Sequence, residues 1–86
     1  MRAQDLLPDD VNQADINGVT VRKGTVGAFL ANARIWLDQT ASAESRQEAE
    51  THMAEALAAL RALGLFDVFT LRDATLQTFV DRQAAE

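Results

Sequence analysis

Leu65 to Arg72, LFDVFTLR, is the stretch on which the fold turns. It is too apolar for a loop and too short for a separate helix. Phe66, Val68 and Thr70 alternate against Leu65, Asp67, Phe69 and Leu71, and the aromatic and β-branched content favours a strand. As a strand it makes the chain α+β. If a helix begins at Asp67 instead, the alternative is an all-α three-helix bundle with no sheet worth the name. An isolated hairpin is only marginally stable, so the reading depends on a partner strand elsewhere.

That partner is sought in Ile16 to Lys23, INGVTVRK. Asn17-Gly18 tolerates the positive φ angles of a type I′ turn, and Val19-Thr20-Val21 is β-branched throughout. Val19 and Val21 point to one face, Thr20 and Arg22 to the other. Pairing Leu65–Arg72 with Val19–Arg22 gives a two- or three-stranded antiparallel sheet.

The helices lie on either side of these segments. Thr25 to Gln39, TVGAFLANARIWLDQ, carries Val26, Phe29, Leu30, Ala33, Trp36 and Leu37 on one broad stripe, with Ala28, Ala31 and Ile35 on a narrower one behind. A helix apolar on two sides belongs between two layers, and this one is read as the centre of the fold, with Thr25 as its N-cap. Glu44 to Leu63 places Ala49, Met53, Ala56, Leu57, Leu60 and Leu63 on one face. Ser42 or Thr40 can cap its start, and Gly64 sits where a left-handed C-terminal cap belongs. Asp73 caps a last helix, Ala74 to about Gln83, with Leu76, Phe79 and Val80 inward. The expected fold is therefore α+β and mostly helical: three helices with a small antiparallel sheet in the order ββααβα. Residues 1–12 form an N-terminal arm that Leu6 and Leu7 could strap down, and 13–86 a single domain.

Composition narrows the function. The 86 residues, 48% apolar and 24% charged, suit one small globule. The absence of cysteine excludes disulfides and thiol chemistry. The net charge of −5 disfavours nucleic acid and anionic membrane as partners. Charge is segregated, since residues 16–37 hold Arg22, Lys23 and Arg34 with no acid, while the flanking segments are acidic. No stretch is long and apolar enough for a membrane span, so a soluble, cytoplasmic protein is expected.

Three candidate sites follow. Arg22, Lys23, Gly24 and Thr25 open a helix whose free amides could hold a small anion or metabolite, although the spacing is not that of a P-loop and a plain strand end with an N-cap is the simpler reading. Glu48, His52 and Glu55 share one side of the second helix, but no further ligand motif accompanies them, and a solvated face is the simpler reading. No metal or other cofactor is therefore expected. His52 lacks a nucleophilic partner, so no catalytic constellation assembles. The third candidate is an interface. Ala28 and Ala31 would let a neighbour approach Ile35, and Ala54, Ala58 and Ala62 form a second small-residue seam on the next helix. Trp36 is read as a core anchor. Two spare smooth stripes point to a protein–protein interaction module, with a homodimer as the expected form. The block Asn17 to Asn32, NGVTVRKGTVGAFLAN, resembles compact segments of small bacterial protein families of unknown function, and this resemblance implies no activity and no site residues.

Overall fold

The computed structural model describes Met1, Arg2, Asp5 and residues 10–85. The expected strap at Leu6 and Leu7 lies outside the described residues. Six elements follow in order: β1 (Gln13–Ile16), β2 (Val19–Arg22), α1 (Thr25–Leu37), α2 (Ala43–Leu63), α3 (Leu65–Val68) and α4 (Ala74–Ala85). The chain is α+β and mostly helical, as expected, but over residues 13–85 the order is ββαααα, with four helices in place of three.

β1 and β2 form a two-stranded antiparallel sheet in which Gln13 faces Arg22, Ala14 faces Val21, Asp15 faces Thr20 and Ile16 faces Val19. The turn is the one the dipeptide demands, with Asn17 at φ 51° and Gly18 at φ 81°. Alternation makes the hairpin two-faced. Ala14, Ile16, Val19 and Val21 are buried or half-buried, whereas Gln13, Asp15, Thr20 and Arg22 are exposed. The Thr20 hydroxyl donates to Asp15 across the strands at 2.9 Å.

α2 is the axis of the molecule. Its Met53, Leu57 and Leu60 are the largest fully buried side chains, and they join Phe29 and Ala33 of α1 and Leu76, Phe79 and Val80 of α4 in one cluster. Its ends are closed locally as read. The Ser42 hydroxyl accepts from the Ser45 amide, and Gly64 at φ 85° donates to the Leu60 and Arg61 carbonyls. The hairpin supplies a third closure, since the Asn17 amide donates to the Ala62 carbonyl at 3.0 Å, forty-five residues away. Asn17 thus serves the turn and caps a distant helix end. Arg46 of α2 donates through Nε to the Trp36 carbonyl at the end of α1, and Arg61 reaches the Val80 carbonyl of α4.

Three expectations are corrected. Leu65–Arg72 is not a strand and does not pair with Val19–Arg22. Gly64 reverses the chain, one helical turn follows with Phe69 N–H bonded to the Leu65 carbonyl, and the chain runs extended from Phe69. The reason lies in which side chains find the core. Leu65, Phe66 and Leu71 pack against it while Val68 and Phe69 are exposed. A strand cannot bury adjacent residues 65 and 66 on one face, but a helical turn followed by extended chain can. The competing helix start at Asp67 fails equally, because α3 ends at Val68 and α4 begins at Ala74. Asp73 caps α4 as expected, its Oδ1 accepting from the Leu76 amide.

The second correction concerns Thr25. Gly24, left-handed at φ 88°, occupies the N-cap position without a side-chain cap, and the Thr25 hydroxyl donates to the Arg22 carbonyl at 2.6 Å rather than accepting an amide. The third is that α1 is not the sandwiched centre. Only Phe29 and Ala33 are buried on it, and Trp36 is half-buried with its ring 5.2 Å from that of Phe79.

Leu60→Ala should cost roughly 3 kcal/mol by urea unfolding, because a 0% exposed leucine leaves a cavity among three elements. Asn17→Asp keeps the turn geometry but removes the amide donor, and should cost about 1 kcal/mol with the hairpin retained.

Candidate binding surfaces around the first helix

α1 lies on α2 with its Phe29–Ala33–Trp36 side and is open elsewhere. Its six-residue stripe is wider than the surface α2 offers. The flank therefore emerges from the core, with Val26 and Leu37 exposed and Leu30 56% exposed. The rear stripe is open as well, with Ala31 exposed and Ile35 40% exposed. Arg34 and Gly27 run between the two strips, and Arg34 is the one charged side chain on the helix. An outward helix face normally carries several charges, so this face is unusually apolar. Ala31 and Ile35 stand out in the sequence as a separate strip, whereas Leu30 shares the broad stripe expected to face the core. The width of the stripe was the signal that could have marked the leucine flank as surplus.

Ala28 belongs to a different surface. A groove of about 440 Å³ runs between β2, α1 and α2. Its polar lining is Thr20 and Arg22 from β2, Thr25 and Asn32 from α1, and His52 and Glu55 from α2, over a floor of Ala28, Phe29, Ala56 and Ala59. Two separate candidates thereby meet. Arg22 and Thr25 of the anion-binding set face His52 and Glu55 of the metal-ligand set, while Lys23, Gly24 and Glu48 do not line the groove. Among the described residues, no group of three or more His, Asp or Glu side chains is placed to hold a metal ion.

The second small-residue seam is used up inside the chain. Ala54 packs against the core and the Ala62 carbonyl holds Asn17, which leaves Ala58 alone exposed. A further apolar spot, in the segment expected to be a strand, is the exposed pair Val68 and Phe69.

At the far end of α1, Asp38 organises the connector. Its Oδ1 accepts from the Thr40 hydroxyl at 2.6 Å and from the Thr40 amide at 2.9 Å, and its carbonyl accepts from the Ala41 amide. These hydrogen bonds, the hydroxyl first and the amide next, hold its carboxyl below the usual 3.8, with the Arg46 charge assisting.

No family model matches the chain, and no curated protein or solved structure matches it either, so the resemblance of Asn17 to Asn32 brings no family with it. Among the described residues, no helix is long and apolar enough to cross a membrane.

Because the Asp38 pKa is lower folded than unfolded, its contribution to stability is complete above the unfolded value and is lost as pH falls through the folded one. Thr40→Val should raise the Asp38 pKa toward 3.8 without reaching it, since the residue-40 amide still donates, as read by NMR titration of the side-chain carboxyl.

Proposed function

We propose that this chain is a protein–protein interaction module that self-associates through the outer face of α1, with a homodimer as the working form and binding rather than catalysis as its role. The observation that carries the reading is Leu30, more than half exposed at the middle of a helix, flanked by exposed Val26 and Leu37. Leaving such a flank in water forgoes about 1.5–3 kcal/mol per large side chain, which association recovers in part. Gly27 and Ala31 beside it allow a second backbone to come close, and Ile35 extends the contact on the far side of Arg34.

Self-complementarity favours a second copy as the occupant. Two α1 helices crossing at Leu30 set the same apolar strip of each chain against the other, an arrangement suited to a two-fold axis. The cytoplasm is the compartment proposed with it, since a chain without cysteine gains nothing from an oxidising environment.

Light scattering on the eluting protein should give twice the 9.4 kDa mass of one chain, dissociating on dilution. Leu30→Glu should give the single-chain mass with an unchanged far-UV spectrum, and Ile35→Glu a weaker dimer. A wild-type monomer at millimolar concentration, or a dimer indifferent to Leu30→Glu, would rule the reading out.

A further inference from the structure

We propose that the groove between β2, α1 and α2 binds a small zwitterion, an amino acid or similar compound that carries one carboxylate and one amine on a short apolar body. The site is independent of the proposed dimer, being built on the opposite flank of α1 by Ala28 and Asn32 rather than by Leu30.

The groove holds opposite charges on different walls. Arg22 stands on the β2 side and Glu55 on the α2 side. Among the described residues, neither side chain is engaged in an ion pair or hydrogen bond, so each keeps its full capacity for a ligand. Arg22 offers the planar fork that a carboxylate accepts in two parallel hydrogen bonds, and Glu55 accepts from an ammonium group. His52, one helical turn from Glu55 on the same face, adds a ring nitrogen to that wall.

A lone anion satisfies Arg22 and is repelled by Glu55, and a lone cation meets the reverse. A molecule bearing both charges satisfies the two walls together. The remaining lining is apolar and small, formed by Ala28, the buried Phe29, Ala56 and Ala59, which suits a body of a few carbons. The volume of about 440 Å³ falls in the range of small-molecule sites, roughly 300–1,000 Å³. Because both charged groups are exposed, binding is weak, with a Kd on the order of millimolar.

The test is NMR titration of the whole chain with 4-aminobutyrate and with L-alanine, whose charge separations differ, and with acetate and methylamine as single-charge probes. One of the two amino acids should shift the amides of Thr25, Asn32 and His52 saturably, and acetate and methylamine should each bind more weakly. Arg22→Ala and Glu55→Gln should each weaken the amino acid about three- to fivefold, as expected for loss of one exposed charge contact. Both substitutions are at exposed positions, and an unchanged circular dichroism spectrum is the check that each variant folds. The same titration of Leu30→Glu should be unchanged, which separates this site from the dimer surface. No saturable shift with either amino acid, binding indifferent to both substitutions, or acetate binding as tightly as the better amino acid would each overturn the assignment.

Discussion

Removal of one face of α2 from water is the constraint under which everything else is arranged. Met53, Leu57 and Leu60 are spaced by four and three residues, so they lie in line along one side of that helix, and all three are fully buried. Two neighbours meet them in one cluster, the Phe29–Ala33–Trp36 side of α1 and the Leu76–Phe79–Val80 side of α4, while the hairpin packs on α2 with Val21 buried. Each contributes a short apolar strip, and none has the area to fold alone. In a chain of this size such a core is small, and local devices at the element ends carry a correspondingly large share of the stability.

Those devices converge on helix ends. α2 closes its first turn with Ser42 and its last with Gly64, and the Ala62 carbonyl left over is taken by Asn17 from the hairpin turn. Arg46 performs the same service for the Trp36 carbonyl of α1. A carbonyl at a helix terminus has no partner in its own helix, so a side chain from another element both satisfies it and fixes the angle between the two. The hairpin, α1 and α2 are thus locked by hydrogen bonds to backbone as well as by packing.

The surfaces around α1 follow from geometry. α2 is a cylinder and covers a limited arc of its neighbour, whereas the apolar stripe of α1 is wider than that arc. The excess emerges on one side as Val26, Leu30 and Leu37. On the other side the gap between α1, α2 and the polar face of the hairpin becomes the groove. Chain order gives no hint that Arg22 and Glu55 share a cleft, because thirty-three residues separate them and only the seating of the hairpin on α2 brings them together. Ala31 and Ile35 were legible as an exposed strip because they lie opposite the main stripe. Leu30 was not, because hydrophobicity identifies what would gain from burial and cannot say how much neighbouring surface exists to bury it.

Local chemistry is what the sequence by itself determined. The Asn17-Gly18 turn, the Ser42 and Asp73 caps, the left-handed Gly64 and the inward faces of α2 and α4 each depend on a few adjacent residues whose conformational preferences are settled within a turn or two. Tertiary structure alone decided the fate of Leu65–Arg72 and the place of α1. LFDVFTLR has the composition of a strand, but the reversal at Gly64 presents Leu65 and Phe66 together to the core, and burying two adjacent side chains on one side requires a helical turn. Where a segment's own preference is worth a fraction of a kcal/mol per residue and burial of a phenylalanine is worth about 1.5–3 kcal/mol, the packing wins.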